Sequence, residues 1–239
     1  MAPVNPTILP DYANESPDVI SYRELRIAIG AIGIALPIIL TIGGVIIHLD
    51  GGSNVWFQPS MSAYYYTAMG NVFVGSLCAI GVFLGSYRGY ELRDRIAGWI
   101  ASIAAIGVAL FPENQTGFTY PRLLVGYFHY AFAATLFVTL SYFCISLFTM
   151  THRSDEPPPK ESPSPQKMTR NMIYRICGWT IRICIAGMAI YKLLEWISES
   201  TASTDPGSGL QPIFCLEALA VWAFGISWLV KAEVVFGDK

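Results

Sequence analysis

The stretch Ile27–Ile47, IAIGAIGIALPIILTIGGVII, decides the fold class: it holds 21 residues without a charge, enough helix to cross a hydrocarbon core of about 30 Å at about 1.5 Å per residue. A water-facing helix would need a polar side, and this one has none. Working outward, further apolar stretches run at about Thr67–Tyr87, Ile96–Phe111, Leu123–Met150, Ile173–Ile197 and Pro212–Ala232. The composition agrees: 53% of the 239 residues are hydrophobic and 13% are charged, against roughly 25% charged in a soluble domain. A secreted disulfide scaffold, a disordered chain and a nucleic-acid binder are excluded by the same balance, since the net charge is -2 and the basic residues are scattered. The expected fold is an all-α polytopic bundle of six transmembrane helices. Its third span is the shortest, at 16 residues, and needs Trp99 or Pro112 near an interface, or a thinned bilayer, to cross.

Orientation is read from the basic residues, which stay preferentially on the cytoplasmic side. With an even number of spans, twelve of the fifteen Lys and Arg residues fall on the side of the two termini, and Arg122 stands alone in the opposite loops. Both termini are therefore expected in the cytoplasm, in a plasma membrane or bacterial inner membrane. The expected organisation is a cytosolic tail over residues 1–26, helices one to four over 27–150, a disordered cytosolic linker over 151–171, helices five and six over 172–232, and a short tail over 233–239. Five prolines and no apolar periodicity mark the linker.

Small residues predict where helices approach closely in a membrane. Gly81, Gly85 and Gly89 recur at four-residue steps in span two, as do Ala97, Ala101, Ala105 and Ala109 in span three. These stripes are expected to pack together. Pro37 removes a backbone donor in mid-span one and is expected to kink it. Cys78, Cys144, Cys177, Cys184 and Cys215 all lie in apolar segments and read as small hydrophobes.

Polar groups inside a span are costly and point to an interior site, so their depths matter. From helix rise, Asn71 lies roughly 6 Å below the outer boundary, His129 roughly 9 Å, and Lys192 and Glu217 roughly 8 Å. Ser62 and Tyr65 belong to the aromatic outer loop above them, with His48, Asp50, Trp56, Ser60, Glu113, Asn114, Gln115 and Asp205 near the mouth. Asn71, His129, Lys192, Glu217, Ser62 and Tyr65 are thus the candidate ligand-binding residues of an outward-facing pocket. Lys192 and Glu217, at equal depth, also fit a neutralising ion pair between adjacent helices.

The function expected is binding of a lipid or small amphiphile, non-catalytic or lipid-modifying, with membrane lipids as partners, a second copy or another membrane subunit as a further one, and no cofactor. One alternative is a metal-dependent hydrolase in which His48, Asp50 and His129 hold zinc, Glu113 or Glu217 moves protons, and Ser62 is a possible nucleophile. No HExxH or GxSxG motif supports it. A structural subunit of a membrane complex is the other alternative. Transport is disfavoured because no inverted repeat or paired broken helices are visible.

The segment Gln58–Gly75, QPSMSAYYYTAMGNVFVG, carries a Pro-Ser-x-Ser motif at Pro59–Ser62 that leads into span two. In this it resembles uncharacterised bacterial six-span membrane proteins and, remotely, the eukaryotic family of GPI-lipid-remodelling and autophagy-modulator proteins. The likeness covers about 60 residues and the span count. Members of the eukaryotic family have a His and an Asp around the motif serine where this chain has Ser60 and Ala63. The resemblance implies a protein that acts on or senses lipids from the outer side, and the departure takes away the two groups that would do chemistry there.

Overall fold

The computed structural model describes residues 17–51, 57–89, 91–114, 122–150, 164–197 and 211–234. Among the described residues there are six α-helices: α1 Pro17–Leu49, α2 Gly70–Ser86, α3 Leu92–Leu110, α4 Arg122–Tyr142, α5 Pro165–Ile197 and α6 Pro212–Lys231. No strand occurs among the described residues. A 3-10 segment, Ser62–Tyr66, precedes α2, and a π-helical turn, Phe143–Leu147, extends α4. Four helices are long and apolar enough to cross a membrane, namely α1, α4 with its extension, α5 and α6. Helix α2 is apolar but has 17 residues, and α3 places Arg93, Asp94 and Arg95 in its first turns.

Two helices begin ahead of the apolar stretches marked in the sequence. Helix α1 starts at Pro17, inside the expected tail, and α5 starts at Pro165, inside the expected linker. In both cases proline stands at the first helical position, where its missing N–H costs nothing. At α5 the Ser164 hydroxyl accepts the Lys167 amide at 3.2 Å, a cap that satisfies one of the free donors of the first turn. The rest of the expected linker, residues 151–163, lies outside the described residues, as do Trp56, Gln115 and Asp205. Helix α3 also begins earlier than expected, at Leu92, where Glu91 and Asp94 form a reciprocal capping box and the Asp94 carboxylate accepts the Glu91 amide at 3.0 Å.

Each helix packs on the next in chain order, and α6 packs back on α1, so the six close into a ring. The α2–α3 contact follows the small-residue stripes. A Cβ added at Gly85 would lie 2.8 Å from the Ser102 hydroxyl, and one at Gly81 2.8 Å from Ile106 Cγ1, while Ala97, Ala101, Ala105 and Ala109 are all buried. Closure of the ring uses a second glycine pair that is 195 residues apart in the chain: a Cβ on Gly30 would meet the Gly225 carbonyl at 2.9 Å, and one on Gly225 the Gly30 carbonyl at 2.8 Å. Without side chains at these points the two backbones approach closely enough for dispersion to act along their length. Pro37 lies within α1, and the Thr41 hydroxyl donates to its carbonyl at 2.8 Å.

One end of the ring gathers the start of α1 and the end of α6. There Arg23 Nε donates to the Ala232 carbonyl at 3.1 Å, and Arg26 to that of Lys231 at 3.4 Å. Below them Tyr87, Phe143, Phe148, Phe224 and Trp228 form an edge-to-face aromatic cluster with centroid spacings of 5.0 to 5.9 Å. Between this cluster and the opposite end lies the candidate site.

Candidate functional site

The loop ahead of α2 is held down at several points. The Pro59 carbonyl accepts the Phe214 amide of α6 at 3.2 Å, and the Phe57 ring stands edge-on to Phe214 at 4.5 Å. Tyr64 is fully buried, with its ring centroid 6.1 Å from that of Phe214, and burial pushes its phenol above the ordinary value. Ser60 caps the 3-10 segment by accepting the Ala63 amide at 2.9 Å. Its own hydroxyl donates to the Glu113 carboxylate at 2.7 Å, while Tyr66 Oη donates to the Glu113 carbonyl at 2.8 Å. The turn after α3 is thereby pinned to the loop before α2. Burial raises the Glu113 carboxyl above its ordinary range, a tendency opposed by the Ser60 hydrogen bond and the charge of Lys192.

With the loop fixed, Ser62 meets α4 and α6. Its Oγ is 3.0 Å from Nε2 of His129, whose Nδ1 lies 2.6 Å from the Phe111 carbonyl. A carbonyl only accepts, so Nδ1 bears the proton; in the neutral ring Nε2 is then an acceptor and the serine hydroxyl donates to it. On the other side the Glu217 carboxyl group accepts the Met61 amide at 2.6 Å and shares the lining of one cavity with Ser62. Ser62 and His129 are buried and Glu217 is partly so.

Beneath this polar layer the ring encloses a cavity of about 50 Å³. Ser62 and Glu217 are its polar groups; the remaining lining is hydrocarbon contributed by α1, α2, α3, α4 and α6, including Leu36, Leu77, Val108 and Leu136. An apolar cavity of this kind stays dry and accepts hydrocarbon.

Three of the six expected site residues, Ser62, His129 and Glu217, are thus brought together. The others are not. Asn71 is exposed on the outer side of α2. Lys192 is also exposed and pairs with Glu195, one helical turn on, at 2.9 Å, which replaces the expected Lys192–Glu217 ion pair. Tyr65 packs its ring on Tyr66 at 5.1 Å and is not part of the cavity lining. The zinc set expected from His48, Asp50 and His129 does not form: among the described residues no three His, Cys, Asp or Glu side chains are grouped to hold a metal. His129 has both nitrogens committed to Phe111 and Ser62, while His48 is in the last turn of α1 and Asp50 follows it.

Two partners were invisible in the sequence because they are backbone groups, the Phe111 carbonyl and the Met61 amide. Ser60 and Glu113 were visible as mouth residues, yet nothing in their spacing signals that they bond to each other. Comparisons with protein-family models, curated proteins and solved structures find no match. The class defined by the fold is therefore that of an all-helical protein with four helices able to cross a membrane, closed into a ring around an apolar cavity with one polar end.

Proposed function

We propose that this chain is a multi-pass protein of the plasma membrane or bacterial inner membrane that binds a lipid or small amphiphile, with the polar headgroup at the Ser62–His129–Glu217 layer and a short segment of the hydrocarbon, a few carbons in about 50 Å³, in the ring cavity. All six helices cross in this reading, both termini face the cytoplasm, and the polar end faces outward. The observation that carries it is the cavity itself, hydrocarbon along its length and closed at one end by Ser62 and Glu217. That polarity profile matches an amphiphile and suits neither a water path nor an ion. Lysine and arginine asymmetry supports the orientation, as does the meeting of the start of α1 with the end of α6 at the opposite end of the ring.

Native mass spectrometry of the full chain, released from mild detergent, tests the reading. Wild-type protein is expected to retain a lipid-sized adduct. Ala133→Phe, which places a ring in the cavity from α4, is expected to lose it while remaining folded. Equal retention by both proteins would place the lipid elsewhere and overturn the proposal.

A further inference from the structure

A pocket that only binds has no need for a serine hydroxyl directed at a base. Resting on the lipid-pocket reading, we propose that Ser62 is a nucleophile activated by His129, and that its substrate is the ester of a membrane lipid whose first few acyl carbons, those next to the carbonyl, enter the cavity.

Three observations lead to this assignment. The imidazole is fixed in one tautomer by the Phe111 carbonyl at 2.6 Å, so the nitrogen facing Ser62, 3.0 Å away, is the one with the free lone pair. Nucleophile, base and a third group that orients the base stand in line, the arrangement that nucleophilic catalysis requires. Ser62 lines the cavity whereas His129 does not, so an acyl group entering along the hydrocarbon wall meets the oxygen with the base behind it. Finally, the Glu217 carboxyl group lines the same cavity beside Ser62, held by the Met61 amide at 2.6 Å, and gives that part of the wall the polarity an ester group needs.

The chemistry balances with water, or the hydroxyl of a second lipid, as co-reactant. Ser62 Oγ bonds to the ester carbonyl carbon as its proton passes to His129 Nε2. The bond from that carbon to the lipid alcohol then breaks, and the leaving oxygen takes the proton from Nε2. Water or the second hydroxyl attacks the acyl-serine and gives its proton to Nε2. Cleavage of the bond to Oγ releases a fatty acid or a new ester, and Oγ recovers the proton. His129 acts as general base and general acid in turn.

The test uses two probes on the full chain in lipid nanodiscs. The first is a long-chain alkyl fluorophosphonate, which forms a P–O bond to an activated serine with loss of fluoride; the second is a fatty acid bearing a photoreactive diazirine. The fluorophosphonate is expected on the peptide containing Ser62, more slowly at acid pH as the imidazole takes up a proton. Labelling is expected to vanish in Ser62→Ala and to slow at least about 100-fold in His129→Gln, the lower range for loss of a positioned base. Circular dichroism of both variants is expected to match that of wild type, which shows that they remain folded, and photo-crosslinking of wild type reports the pocket. Crosslinking of wild type with no fluorophosphonate on Ser62 would overturn the nucleophile and leave the lipid pocket standing. Labelling that His129→Gln does not slow would overturn the role of His129. Absence of cavity crosslinking in wild type would overturn the pocket and the lipid-ester assignment with it.

Discussion

Ser62 Oγ and His129 Nε2 lie 3.0 Å apart although 67 residues separate them in the chain. One belongs to the loop before α2 and the other to α4, which are not consecutive elements. The contact exists because the loop is tied at Pro59 to α6 and at Ser60 to Glu113, and because α3 hands the Phe111 carbonyl to the imidazole as it ends.

Replacing His129 by Leu is expected to destabilise the protein. The substitution leaves the Phe111 carbonyl and the Ser62 hydroxyl buried without their partner, at a cost of about 1–3 kcal/mol. For a chain of this size that corresponds to a fall in Tm of roughly 2–12 °C. Thermal unfolding in detergent, followed by tryptophan fluorescence, measures it.

Ring closure should depend on Gly225 far more than on a glycine in open space such as Gly75. A Cβ there would stand 2.8 Å from the Gly30 carbonyl, which is backbone and cannot swing away. Gly225→Val is expected to cost about 1–3 kcal/mol or more through overpacking. At Gly75 a Cβ would meet nothing within 4 Å, so Gly75→Ala is expected to be neutral or slightly stabilising. Thermal unfolding of the two variants side by side distinguishes a closed ring from a loose bundle; equal behaviour would contradict the close α1–α6 approach.

Stability near the loop should decline as pH rises through the titration of Glu113. Burial raises its carboxyl in the folded protein, so the folded state binds the proton more tightly than the unfolded chain does. The favourable contribution is therefore full below the unfolded carboxyl value of about 4.3 and is lost as pH climbs through the raised folded value. Glu113→Gln is expected to flatten that part of the curve of Tm against pH. An unchanged slope in the variant would rule out Glu113 as its source.

Lys192→Gln is expected to change stability by less than about 1 kcal/mol, the usual worth of an exposed ion pair. Its side chain is 52% exposed and that of Glu195 51%. Chemical unfolding monitored by circular dichroism provides the comparison. A loss of several kcal/mol would mean that Lys192 neutralises the part-buried carboxyl groups of Glu113 and Glu217 instead.

The helical class, the positions of the apolar stretches and the meeting of α2 with α3 were all legible in the sequence. They depend on local quantities: apolar length, helix rise and the spacing of small residues. His129 and Glu217 were picked out by their level along the helices, and Ser62 as a member of the polar, aromatic loop ahead of α2. Azimuth was not legible. Each residue turns the helix by about 100°, so Asn71 faces outward while Phe73, two residues on, is buried, and only packing against neighbours selects which side turns inward. Lys192 shares the level of Glu217 yet turns outward to Glu195. Tertiary structure alone decided the closure of α6 on α1 through Gly30 and Gly225, the cavity that closure encloses, and the use of the Phe111 carbonyl to orient His129, because contacts between distant segments and through backbone atoms leave no mark in the order of side chains.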